Sequence, residues 1–270
     1  MACWPSASSP DFAIVGTQKG GTTSLTNIMM VDHPLHICVD HEQRRTHVEQ
    51  RIHNISWDDV LLPARSRCQR AKAACSQVRV GFVDPLLSYL APSLEDVSGA
   101  PFALLLHRAA PSMKLVFLVR EPIQRAFSQY NMHKLKKEPG TVGRDFGTLA
   151  ASELRDLAVA DEAWVSKRRP TDIVRRGLYA EQLDALLRWY SLAQILIVIS
   201  EHLNPLSFVE PSGLGQMDRM AEYNRLFAFI GVPELARLHT QTSVEARRYV
   251  QHDEAIGNRT ILPAACFLQE

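Results

Sequence analysis

The 270-residue sequence has no long apolar run, no excess of either charge, no internal repeat and no paired cysteine pattern, and each absence closes off a class of protein. No stretch approaches the ~20 apolar residues that span a bilayer. The opening MACWPSASSPDFAIVG has no basic segment followed by an apolar run, so the expectation is a soluble, cytoplasmic chain with no membrane partner. Thirty Lys and Arg against twenty-nine Asp and Glu leave a net charge of +1, too little for broad electrostatic capture of nucleic acid. Any anion must therefore be held by a local arrangement. The five cysteines, Cys3, Cys38, Cys68, Cys75 and Cys266, are odd in number and not spaced in pairs. A disulfide framework is not expected, although Cys68 with Cys75 could bridge in an oxidising lumen. The glycosylation patterns Asn54-Ile55-Ser56 and Asn258-Arg259-Thr260 carry no weight in a cytosolic reading. Nothing in the composition selects an oligomeric state.

What is present is ordinary for a compact domain: 46% apolar and 22% charged residues. The length suits one large domain, read as residues 11–270 behind a flexible Pro/Ser-rich tail over 1–10. Short, uninterrupted β-rich runs recur at Phe12 to Val15, Val78 to Val83, Leu115 to Val119 and Ile195 to Ile199, and these predict buried parallel strands. Between them, apolar residues at helical spacing mark Leu25, Ile28 and Met29; Ile123, Ala126, Phe127 and Tyr130; Leu183, Leu186, Leu187 and Tyr190; and Met220, Tyr223, Phe227 and Ile230. The alternation predicts an α/β fold of three layers, α/β/α, around a mostly parallel sheet. His33 to Ala74 and Lys134 to Pro170 resist the pattern, apart from a helix around Leu149 to Trp164, and read as insertions that carry acceptor-binding loops. Val244 to Glu270 has no clear periodicity.

Chemistry concentrates in FAIVGTQKGGTTSL, Phe12 to Leu25: an apolar strand, a turn with Gly16, Gly20 and Gly21, and a hydroxyl-rich helix start. Glycines let the backbone curl so that successive N–H groups point into one concavity, and the helix N-terminus adds partial positive charge. Lys19 supplies a point charge, and Thr22, Thr23 and Ser24 supply hydroxyl donors and capping oxygens. The plainer alternative is a strand-to-helix turn with a capping Thr. The nucleoside-triphosphatase pattern G-x-x-x-x-G-K-[ST] would need Lys where Thr22 stands. No later strand ends in an Asp placed as a magnesium ligand, so a metal-free reaction of an anion is favoured.

GTQKGGTTSL resembles the 5'-phosphosulfate loop of sulfotransferases that use 3'-phosphoadenosine-5'-phosphosulfate (PAPS). LVFLVREPIQRAFSQY, Leu115 to Tyr130, is similar to that family's 3'-phosphate segment. RRGLYAEQLDALLRWY with QILIVISEHL resembles a third block of its bacterial and carbohydrate-type branch, and the likeness runs in register from Phe12 to about Val232. The resemblance implies a P-loop-like 5'-phosphosulfate loop formed by Lys19, Gly20, Gly21, Thr22, Thr23 and Ser24, with Lys19 also catalytic. It implies that Arg120 and Ser128 hold the 3'-phosphate, and that Tyr179 shapes the nucleotide site. Read without the resemblance, Arg120 ends a buried strand where an anion or a carboxylate such as Glu121 would meet it, and Ser128 is a helix hydroxyl. Tyr179 read alone is part of an amphipathic helix. Arg247 and Arg248, with Tyr249, are the counterpart of a basic loop that closes over the nucleotide in relatives, or else a solvated pair.

The acceptor proton needs a base. Relatives of the carbohydrate-type branch carry a Lys-Glu pair after the second strand, and His41-Glu42 occupies that place, so Glu42 is the first candidate, with His41 and His47 behind it. A solvated carboxylate is the alternative for Glu42. In GFVDPLLSYL, Gly81 to Leu90, the places where relatives carry Gly-Glu and a hydroxyl before Pro read Phe82, Val83 and Asp84. Asp84 is either an acceptor-side acid or base, or a cap for the helix after Pro85. His33, His36, Cys38, His41, His47 and His53 crowd together without C-x-x-C half-sites, which favours a polar acceptor loop over a metal site. The expected activity is sulfuryl transfer from PAPS, with PAP as product and no metal, to a hydroxyl or amine of a small-molecule acceptor. A glycan acceptor, a small-molecule kinase and a non-catalytic nucleotide binder are the alternatives.

Overall fold

The computed structural model describes residues 10–33, 36–40, 68, 77–90, 101–138, 140–159, 172–203 and 216–236. Five strands, β1 (Phe12–Gly16), β2 (Ile37–Asp40), β3 (Arg79–Val83), β4 (Lys114–Val119) and β5 (Ile195–Ile199), form one sheet in the order β2-β3-β1-β4-β5. Every pairing is parallel. The four apolar runs read as strands are β1, β3, β4 and β5. The edge strand β2 lies inside the stretch read as irregular, because four residues that include Cys38 and Asp40 are too few to display a period.

Among the described residues the α-helices are α1 (Thr22–Asp32), α2 (Leu87–Leu90), α3 (Phe102–Ala109), α4 (Pro122–Leu135), α5 (Phe146–Ala158), α6 (Tyr179–Leu187), α7 (Ser200–Leu203) and α8 (Gln216–Ile230). Asp145, accepting from the Thr148 N–H at 2.9 Å, starts α5 three residues ahead of the expected Leu149. Helix α3 was not legible as a helix: FALLLHRA is too short to separate from a buried strand by pattern, and Pro101 at its N-cap decides the matter.

Alternation along the strands sorts the core. Phe12, Ile14, Val116, Leu118, Leu196 and Val198 face α1 and α8, where Leu25, Met29, Tyr223 and Phe227 cover them. Ala13, Val15, Leu115, Phe117 and Ile195 face α3 and α6, under Phe102, Leu106 and Leu186. A strand apolar on both faces needs this two-sided cover, since each fully buried aliphatic or aromatic side chain contributes ~1.5–3 kcal/mol. The expected three-layer α/β/α arrangement is the observed one. Gly81 is required by packing: a Cβ there would lie 2.3 Å from the Phe12 ring. Asp11 fastens the entry to β1, its carboxylate accepting from the Val80 N–H at 2.8 Å and its carbonyl from the Lys114 N–H at 3.0 Å.

The cysteine expectation is corrected. Cys38 on β2 forms a disulfide with Cys68, at a sequence separation of 30, and both pack with Val78 and Val80. The partner of Cys68 is thus not Cys75, and what hid the pair is that packing against Val78 and Val80, not sequence spacing, brings the two together. Closing a loop of about 30 residues removes denatured-state entropy worth roughly 3–4 kcal/mol. Cys38→Ser should lower the urea midpoint by that stability, and wild type in reductant should fall to the same value. An unchanged midpoint in both would show that the link contributes nothing.

Candidate active site

The chain passes from β1 to strands on one side of the sheet and later to β4 and β5 on the other, so strand order reverses at β1, and the crevice beyond the carboxyl ends there is where open α/β sheets take ligands. The loop Thr17 to Gly21 fills this place. Gly16 leaves β1 with no room for a side chain, since a Cβ would meet the Ser88 Oγ at 2.1 Å. Lys19 has φ 68°, in the left-handed region that costs a non-glycine residue about 1 kcal/mol or more unless neighbours impose it. Gly21 follows at φ 94° as the N-cap of α1.

Each carbonyl of this loop is taken. The Thr17 oxygen accepts from the Gly20 N–H at 2.8 Å, the Gln18 oxygen from Arg125 Nη1 at 3.5 Å, the Lys19 oxygen from Arg120 Nη1 at 3.2 Å and the Gly20 oxygen from the Ser200 hydroxyl at 2.7 Å. The amides of Thr22, Thr23 and Ser24 open α1 and have no intrahelical acceptor, and no side chain among the described residues caps them. The capping oxygens expected of Thr22, Thr23 and Ser24 are therefore absent: Gly21 holds the cap position, and the first-turn N–H groups are left to an anion or to water. Thr22 is buried, Thr23 exposed and Ser24 between the two. The Thr17 hydroxyl, also buried, has no partner among the described residues.

Arg120 ends β4 beside the loop. Its guanidinium donates to the Lys19 carbonyl and to Gln124 Oε1 at 3.4 Å, and no described carboxylate pairs with it. Glu121, the alternative partner, is occupied in capping α4, accepting from the Ile123 N–H at 3.0 Å and the Gln124 N–H at 2.7 Å. Ser128 is half-buried one turn beyond Gln124, on the helix flank that Arg120 touches. The Tyr179 hydroxyl donates to the Arg120 carbonyl at 2.7 Å and accepts from its N–H at 3.4 Å, so the ring clamps the peptide that carries Arg120. Burial raises the Tyr179 pKa above its ordinary value. Lys19, Gly20, Gly21, Thr22, Arg120 and Tyr179 are thus gathered beyond the carboxyl ends of β1 and β4. His41, Glu42, Arg247 and Arg248 lie outside the described residues, as do His47, His53 and Tyr249.

Asp84 accepts from the Leu86 N–H at 3.0 Å and so caps the turn into α2, the second of the two readings left open for it. Cys38 is committed to the disulfide and so is not a free metal ligand, and the His33 ring packs edge-on against Phe227 at 4.3 Å.

Sequence reasoning missed the underside of the loop. Arg125 and Arg176 are fully buried, and the signal available for Arg125 was polar residues at helical spacing, Arg125, Gln129 and His133, on the buried face of α4. Arg176 had none. Burial, the largest effect, lowers the Arg125 pKa to about 10, which keeps it charged at neutral pH. Behind this layer, Glu153 on α5 accepts from the Val174 N–H at 2.6 Å and holds the short helical turn Arg175–Gly177.

With strand, loop, helix start and strand-end arginine in this arrangement, the comparison with known proteins is direct. The sulfotransferase domain family matches residues 9–252, and the chain belongs to that family. It is similar to heparan sulfate glucosamine 3-O-sulfotransferase 6 of Mus musculus and of Homo sapiens, each 30% identical over 196 residues that make up 72% of this chain and 47% of the relative. The chain spans about half the length of the curated relatives it matches. A sulfotransferase structure from Alicyclobacillus acidocaldarius shares the fold, with TM-score 0.53, 20% identity and 97% of each chain covered.

Glu153 generates a prediction about pH. Burial pushes its carboxyl up to about 7, helped by Asp172 and opposed by the Val174 N–H. Between the ordinary carboxylate value and about 7 the unfolded chain has lost a proton that the folded one keeps, so stability falls as pH rises through that window and levels off above it. The expected loss is on the order of 3 kcal/mol. Glu153→Gln, which retains an acceptor for Val174, should flatten this part of the stability profile; an unchanged slope would remove Glu153 as its source.

Proposed function

We propose that the chain transfers the sulfuryl group of PAPS to a hydroxyl or amine acceptor and releases PAP. The observation that carries this reading is the loop whose carbonyls are all engaged by protein while the amides of Thr22, Thr23 and Ser24 are left at a helix N-terminus. Such an array suits a 5'-phosphosulfate. Arg120, free of any described carboxylate and with Ser128 on the adjoining flank, suits the 3'-phosphate. In the transfer, the acceptor oxygen or nitrogen bonds to sulfur as the bond between sulfur and the 5'-phosphate oxygen breaks, and that oxygen keeps the electron pair. Lys19 and the loop amides stabilise the charge that gathers there. Glu42 takes the acceptor proton, with His41 as the second choice. Tyr179 orients Arg120 through its peptide, and Arg247 and Arg248 close on the nucleotide from the C-terminal side.

A small-molecule acceptor is our first reading. A carbohydrate hydroxyl is the second, favoured by the similarity to heparan sulfate glucosamine 3-O-sulfotransferases. The disulfide between Cys38 and Cys68 favours an oxidising compartment over the cytoplasm. No helix among the described residues is long and apolar enough to cross a membrane. A kinase reading is weakened by Thr22, which stands where the triphosphatase lysine belongs.

Calorimetric titration with PAP, AMP and ATP with magnesium tests the donor. PAP should bind at least tenfold tighter than AMP, and Arg120→Ala should erase that preference. Tight ATP-magnesium binding with PAP ignored would return the chain to the kinases. Lys19→Ala should cut turnover by about 100-fold or more, the scale of one lost oxyanion donor. Glu42→Gln should do the same wherever chemistry limits the rate, and undiminished turnover would remove it as base.

A further inference from the structure

The buried layer beneath the loop joins its two ends. Arg176 Nη1 donates to Gln18 Oε1, and the guanidinium lies 4.8 Å from the Tyr89 ring, whose hydroxyl donates to Asp172. The Arg176 carbonyl accepts from Gln182 Nε2 at 3.1 Å, and Gln182 Oε1 accepts at 2.8 Å from the Ser88 hydroxyl, the group that Gly16 leaves room for. Arg125 reaches the Gln18 carbonyl from below while donating to Gln129 Oε1 at 2.7 Å and to the Ile173 carbonyl. Gln18 is therefore gripped twice, by side chain and by main chain, from two arginines on separate elements.

This grip bears on the anion side. A planar trans peptide directs its C=O and N–H to opposite sides, so a carbonyl of Gln18 drawn down to Arg125 turns the Lys19 N–H the other way. The Gln18 side chain, drawn toward Arg176, is kept from folding over the amides. Lys19 meanwhile stands in a left-handed conformation that persists only where its neighbours on both sides are fixed.

We propose that Gln18 and Arg176 are a positioning pair, seconded by Arg125, that sets the curvature of the loop and so its affinity for the 5'-phosphate end of the nucleotide. The proposal rests on the nucleotide reading of the loop. It predicts damage greatest at one end of the ligand, because Arg120 meets the loop at the Lys19 carbonyl rather than at Gln18 and is held separately by Gln124 and Tyr179.

The test titrates PAP and 3'-AMP, which lacks the 5'-phosphate, into wild type, Gln18→Ala, Arg176→Met and the double variant, with melting temperatures recorded. Gln18→Ala removes a half-exposed side chain and keeps the test open should Arg176→Met fail to fold. The expected result is at least fivefold weaker PAP binding in each single variant, 3'-AMP affinity within twofold of wild type, and a double variant no worse than the weaker single one. Unchanged PAP affinity in Gln18→Ala, or equal loss for both nucleotides, overturns the positioning pair. A wild type that binds neither nucleotide overturns the nucleotide reading itself and the proposal with it.

Discussion

A loop that is to hold an anion with its backbone must first dispose of its carbonyls, since a C=O turned toward the ligand repels it as strongly as an N–H attracts it. Between β1 and α1 the disposal is complete. Thr17 is satisfied within the turn, Gln18 and Lys19 by arginines, and Gly20 by Ser200. The rest of the structure serves those four bonds. Strand β4 delivers Arg120, α4 delivers Arg125 and β5 delivers Ser200, so three elements must be in register before the loop has its shape.

This explains why so much charge is buried beneath one turn of chain. Placing Arg125, Arg175 and Arg176 in the interior is costly, and a buried guanidinium is tolerated only when carbonyls and side-chain oxygens receive its protons. Gln129, Gln18 and the Ile173 carbonyl receive protons from the terminal nitrogens of Arg125 and Arg176. The same layer adds positive potential under the loop, so one set of residues both shapes the backbone and biases the field.

The sequence disclosed the upper side of the site and little of the lower. Gly16, Lys19, Gly20 and Gly21 stand in one short run between a strand and a helix, so the turn, its sign of charge and its place in the sheet could all be read locally. Arg120 was readable because it ends an apolar run. The grips on Gln18 come instead from residues 107 and 158 positions away, and no local pattern records a contact of that separation. The partner of Cys38 was hidden for the same reason, and strand β2 because four residues are too few to display a period. The missing capping role of Thr22 to Ser24 has a different origin: the hydroxyls suit a cap by type, but Gly21 reaches the left-handed conformation more easily and takes the position.

The disulfide also changes the covalent topology of the chain. Residues 38 to 68 form a closed ring, whose two ends are fixed to β2 and to the Val78–Val80 cluster. A single backbone cut within that ring leaves both pieces joined through sulfur. Protein nicked there migrates as one species until a reductant separates it into two, and a cut beyond Asp40 leaves the edge strand whole and still tethered.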